Sequence, residues 1–123
     1  MTPGRWLNQP DAQRDYISSN CTHVARDMLD RGVNVIAQMV SPGTGAWAGR
    51  YSLSCNPDVT VDLAPAMRAA NPDAIVIGEI NDQLPFMTGD AAVPPEYFDA
   101  LCTVTDGGYR LFGPPKPPVS TAD

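Results

Sequence analysis

The sequence lacks the features that identify several common classes of protein. It has a single histidine, and its three cysteines (Cys21, Cys55 and Cys102) include no Cys-x-x-Cys pair, so no metal site is expected. Its 8 basic residues form no cluster and are outnumbered by 14 acidic residues, for a net charge of −6. Neither nucleic acid nor an anionic membrane is therefore an expected partner.

Long apolar runs are also missing. No stretch approaches the ~20 apolar residues that cross a bilayer, and residues 1–10 have no apolar run of the kind that makes a secretory signal. We therefore expect a cytoplasmic protein, with its cysteines as reduced thiols that are mostly buried. Residues 43–49 contain three glycines, but neither Gly-x-Gly-x-x-Gly nor a P-loop lysine accompanies them, which favours a flexible loop over a phosphate cradle.

What is present predicts one α/β domain. The chain has 123 residues, 43% of them hydrophobic, which is enough for one core. The predicted elements are helix 21–31 capped by Asn20, buried strand 33–40, loop 41–49, strand 51–54, a helix beginning near 58–60 with Pro65 in its first turn, strand 74–80, one helical turn at 96–99 and strand 101–104. Alternating strands and helices favour a mostly parallel sheet with flanking helices. Two long helices are few for a sheet covered on both faces, so we expect a partial sheet.

The composition changes along the chain and predicts three regions. Residues 1–16 are polar and without a period, and are expected to form an irregular lead-in. Residues 17–106 carry the predicted elements and form the α/β domain. Residues 107–123 are rich in proline and polar residues, which is typical of a stiff extended linker.

The most informative segment runs from Gly78 to Asp90, where a buried strand is expected to deliver polar groups to the rim of the sheet. Glu79 is a carboxylate that either lines a site or is hydrogen-bonded to its own loop. Asn81 and Gln83 each donate and accept hydrogen bonds, so they either hold a substrate carboxylate or tie down the loop. The residues alone leave these alternatives open.

This segment resembles a family signature. The matching residues are Glu79-Ile80-Asn81-Asp82-Gln83-Leu84-Pro85 with Thr88-Gly89-Asp90, and upstream Gln38-Met39-Val40-Ser41-Pro42, Gly49 and Tyr51-Ser52-Leu53-Ser54. In this order they resemble the acetyl-CoA hydrolase and CoA-transferase family, which has Glu-Val-Asn-x-x-Met-Pro-x-x-x-Gly-Asp in the first segment and Val-Ser-Pro, Gly and Ser-Leu-Gly in the second. Ser54 stands where the family usually has glycine.

The resemblance runs from about residue 15 to the end and implies a CoA-transferase-like α/β fold, of which this chain is part of the N-terminal half. It implies coenzyme A as a substrate, with acyl-CoA and a short carboxylic acid such as acetate or propionate as partners, and no metal. The candidate residues for substrate or CoA binding are Ser41, Pro42, Gly49, Glu79, Asn81, Gln83 and Gly89.

The family's covalent chemistry needs a nucleophilic glutamate beside a Gly-rich oxyanion loop. The resemblance places both in a C-terminal half that these 123 residues do not contain. We therefore expect no catalytic residue here. The sequence predicts a fragment or split subunit of an enzyme of acetate metabolism, inactive alone and completed by a partner chain. A non-catalytic binding or assembly module, or a truncated non-functional product, stays open as the alternative.

Overall fold

The computed structural model describes residues 9–14, 17–55 and 57–103. Its helices are α1 (Pro10–Arg14), α2 (Val24–Asp30) and α3 (Pro57–Ala70), and its strands are β1 (Val35–Pro42), β2 (Tyr51–Ser52), β3 (Ile75–Ile80), β4 (Ala92–Val93) and β5 (Ala100–Thr103). Single 3-10 turns lie at Cys21–His23, Gly45–Trp47, Gly89–Ala91 and Pro95–Tyr97. The predicted linker, residues 107–123, and the end of the last predicted strand lie outside the described residues.

The first long helical segment follows its sequence signals closely. The side chain of Asn20 accepts a hydrogen bond from the backbone N–H of Thr22, which caps the 3-10 turn that leads into α2. The segment ends at Gly32, whose φ of +69° suits glycine. The predicted helix is thus confirmed, with its first turn wound as a 3-10 helix. The lead-in, expected to be irregular, contains the short helix α1.

Helix α3 corrects the expected place of Pro65. The helix begins at Pro57, so Pro65 lies in its interior and not in its first turn. The proline is exposed, where water can replace the intrahelical hydrogen bond that its missing N–H removes. The opposite side of the helix buries Thr60, Leu63 and Met67 in the core.

The five strands form one sheet in the order β4-β2-β1-β3-β5. The longer strands are parallel, with Val40 of β1 paired with Ile80 of β3, and Ile80 paired with Thr103 of β5. The two-residue strands β2 and β4 add to the other side of β1 in antiparallel orientation. The α/β fold with flanking helices is confirmed, and the sheet is mixed.

Helices α2 and α3 pack on one face of this sheet. There Val40, Val76 and Phe98 are buried in one cluster with Ala64 and Met67 of α3. Gly78 leaves room on this face for the side chains of Leu101 and Phe98, because a Cβ atom there would lie 2.8 Å from Cδ2 of Leu101 and that side chain would have to shift. No described helix among residues 9–103 is long and apolar enough to cross a membrane.

The opposite face of the parallel strands is uncovered within the described residues, and we call it the open face. It consists of Val35, Ala37 and Met39 of β1, Ile75, Ile77 and Glu79 of β3, and Ala100 and Cys102 of β5. Three of its large apolar residues are well exposed: Val35 by 46%, Met39 by 39% and Ile75 by 42%. The expectation of buried strands was therefore wrong for alternate residues of β1 and β3, because α2 and α3 cover only one side.

The cysteines also differ from expectation, since all three are exposed and free. Cys21 begins the 3-10 turn before α2, Cys55 lies in the turn before α3, and Cys102 lies on the open face. Each cysteine lies at a position that no described helix or strand covers. The apolar character of cysteine therefore did not predict its burial here.

Asp99 connects strand β3 to helix α3 through its carboxylate. The Oδ2 atom of Asp99 accepts hydrogen bonds from the backbone N–H of Val76 (2.7 Å) and from the guanidinium of Arg68 (2.6 Å). Arg68 also donates to the carbonyl of Tyr97 (3.0 Å) and lies 5.9 Å from the centre of its ring. The N–H of Val76, followed by the Arg68 guanidinium, holds the pKa of the Asp99 carboxyl below its usual value.

Candidate functional site

The candidate residues cluster where β1 and β3 end side by side. Because the two strands are parallel and in register, Ser41 and Asn81 follow the paired residues Val40 and Ile80. The backbone N–H of Asn81 donates to the carbonyl of Val40 (2.9 Å), which extends the strand pairing by one bond. Ser41 and Asn81 are each only 3% exposed. The structure thus brings these two candidate residues together at one edge of the sheet.

The loop of residues 81–88 is held against this edge by three buried serines. The hydroxyl of Ser41 donates to the carbonyl of Leu84 (2.8 Å), that of Ser52 to the carbonyl of Met87 (2.8 Å), and that of Ser54 to the carbonyl of Pro85 (3.0 Å). The Ser52 oxygen also accepts from the backbone N–H groups of Met87 (2.9 Å) and Ser54 (3.1 Å). The loop, which has no regular structure, is thereby fixed at the three residues Leu84, Pro85 and Met87.

Ser52 and Ser54 were not predicted as site residues. The sequence carried one signal for Ser54, which is a serine where the resembled family usually has glycine. Ser54 has a φ of +59°, the left-handed region that favours glycine, and it is the one non-glycine residue there in the described part of the chain. Glycine is the residue that the family resemblance expects at this position. Serine at position 54 adopts the left-handed conformation less readily than glycine, but its hydroxyl forms a hydrogen bond to the loop.

The glycine-rich loop that follows β1 is compact. The N–H of Gly43 donates to the carbonyl of Arg50 (2.8 Å), and a Cβ at position 43 would lie 2.1 Å from the carbonyl oxygen of Trp47. The indole of Trp47 packs at 5.7 Å between ring centres on Phe86, so the two loops contact each other. The glycines of this loop were expected to give flexibility, and the structure shows a backbone hydrogen bond and a ring contact that hold it.

Three of the candidates in this region are backbone positions. Pro42 is the last residue of β1 and pairs with Tyr51. Gly49 has a φ of +82° in the turn that returns the chain to β2, and Gly89 has a φ of +70° at the start of the 3-10 turn before β4. Both glycines serve turns that L-residues adopt poorly.

The amide of Asn81 shapes the start of the loop. Its Oδ1 atom accepts the backbone N–H of Gln83 (3.0 Å), an Asx-type turn, while its Nδ2 lies 4.0 Å from the sulfur of Met39. Gln83 itself is exposed. Of the two roles weighed for Asn81, the geometry supports tying down the loop.

Glu79 differs from the other candidates because it points to the open face. It pairs across the sheet with Met39 on one side and Cys102 on the other. Its Oε1 atom is buried and has no hydrogen-bond partner among the described residues. The structural role considered for Glu79 was a hydrogen bond to its own loop, and its Oε1 atom makes no such bond.

The described residues contain no group of three or more His, Cys, Asp or Glu side chains that could hold a metal ion. A cleft of about 240 Å³ lies away from this site, between the 3-10 turn before α2 and the first half of α3, and is lined by Cys21, Thr22, Ala25, Asp58, Val59 and Asp62. The site at the strand ends is thus a braced loop beside one partly buried carboxylate, and most of its polar atoms are used to hold backbone.

Comparison with known proteins supports the fold. No family profile and no curated protein sequence matches the chain. Among solved structures, RipA from Yersinia pestis is similar over 96% of this chain and 27% of its own, with 20% identity and a TM-score of 0.62. A single-residue mutant of RipA covers the same shares with 21% identity and a TM-score of 0.63. A 4-hydroxybutyrate CoA-transferase from Porphyromonas gingivalis covers 85% of this chain and 26% of its own, with 20% identity and a TM-score of 0.46.

The chain therefore spans about a quarter of the length of the solved structures it matches. At these identities the comparison shows a shared fold and does not show activity or substrate. The chain is an α/β domain with the fold of part of RipA.

Proposed function

We propose that the chain is a split subunit or fragment of an acetyl-CoA hydrolase or acyl-CoA:carboxylate CoA-transferase, acting on a short acid such as acetate or propionate. The observation that carries the proposal is the 81–88 loop, which follows Glu79 and is fixed at the ends of two parallel strands by three serines. This loop is the segment whose sequence resembles the family, and the fold it belongs to is shared with RipA.

In this proposal the chain positions groups and a partner chain supplies the reactive ones. CoA is the substrate thiol, and Glu79 with the 81–88 loop forms one wall of its site. The nucleophilic glutamate and the Gly-rich loop that the resemblance requires are expected on the partner. A cytoplasmic location is part of the same proposal.

The test is co-expression of this chain with the product of the neighbouring gene, followed by a pull-down and an assay of acyl exchange between acyl-CoA and acetate. We expect exchange from the complex and none from the chain alone. As a matched pair, Glu79→Gln in the complex is expected to reduce exchange, and Glu96→Gln, at an exposed position outside the site, is expected to leave it unchanged.

Exchange catalysed by the purified chain alone would contradict its dependence on a partner. A stable complex that shows no exchange would favour the alternative, a non-catalytic binding or assembly module. One observation gives that alternative weight: apart from Glu79, the buried candidate side chains are occupied in holding backbone. If the DNA after codon 123 resumes a Gly-rich loop and a glutamate in any frame, the fragment reading is favoured instead.

A further inference from the structure

We draw no further inference here: the strongest candidate, the cleft of about 240 Å³ between the 3-10 turn before α2 and the first half of α3, presents one thiol (Cys21) beside two exposed carboxylates (Asp58 and Asp62), and none of the residues that line it carries a buried side-chain oxygen or nitrogen without a hydrogen-bond partner that would indicate a ligand.

Discussion

The left-handed backbone at Ser54 provides the sharpest test of how the loop is held. Ser54 has a φ of +59°, and this backbone conformation destabilises the folded state by about 1–2 kcal/mol for an L-residue. The 3.0 Å hydrogen bond from the Ser54 hydroxyl to the carbonyl of Pro85 stabilises the folded state by about 1 kcal/mol. Ser54→Ala keeps the backbone cost and loses the bond, so we expect it to lower the free energy of unfolding by about 1 kcal/mol.

Ser54→Gly loses the same bond but removes the backbone cost. Glycine's greater freedom in the unfolded chain offsets about 0.4–1 kcal/mol of that gain. We therefore expect Ser54→Gly to be more stable than Ser54→Ala by about 0.5–1 kcal/mol and to lie close to wild type. The difference corresponds to a shift in Tm of about 4 °C and is measured by urea and thermal unfolding followed by circular dichroism.

The sign of the difference is decisive, because at ordinary backbone angles glycine is less stable than alanine. Ser18, exposed and outside the left-handed region, supplies the matched control, and there the alanine variant is expected to be the more stable of the pair. If Ser54→Ala proved more stable than Ser54→Gly, the left-handed geometry and the explanation of the missing family glycine would both be refuted.

Three further predictions concern the elements around the site. Ser52→Ala removes three hydrogen bonds to its oxygen and is expected to cost about 2–3 kcal/mol in urea unfolding, whereas Ser18→Ala should change stability by less than about 0.5 kcal/mol; equal effects would show that the serine does not hold the loop. Gly43→Ala places a Cβ 2.1 Å from the carbonyl oxygen of Trp47 and is expected to cost about 3 kcal/mol. Gly45→Ala, which meets open space at a φ of +57°, should cost about 1 kcal/mol, and the reverse order would contradict the compact loop. The Val76 N–H and the Arg68 guanidinium lower the pKa of the Asp99 carboxyl from 3.8 in the folded state. The ionised carboxylate therefore stabilises the fold above about pH 4. This stabilisation is lost as pH falls through the folded-state pKa. Asp99→Asn should therefore reduce stability at pH 7 and approach wild type near pH 2, measured by urea unfolding across pH with exposed Asp82→Asn as control; a difference that does not shrink in acid would contradict this assignment.

Much of the fold was predictable because its signals are local. Asn20 and Gly32 bound the first helical segment through bonds and backbone angles within a few residues. Asn71 and Pro72 end α3 in the same way, and the strand before the polar loop lies within one residue of its predicted bounds. The strand β4 was missed because two residues are too few to show a period.

The site was predictable in part. The polar segment after β3 was expected at the rim of the sheet, but that Ser41 lies beside Asn81 follows only from the parallel, in-register pairing of β1 and β3. The roles of Ser52 and Ser54 required knowledge of bonds to residues 35 and 31 positions away, which no local pattern reports. The burial of the cysteines was predicted wrongly for a related reason, since exposure depends on which face of the sheet a helix covers.

The sequence by itself determined the ends of the first long helical segment, the order of the longer strands and helices and the polar loop at the end of a strand, since these depend on contacts between near neighbours along the chain. Only the tertiary structure decided that three serines brace that loop, that the sheet is mixed, and that one of its faces stays open around Glu79. Those features arise from pairing between distant segments, whose register is fixed by the packing of the whole domain.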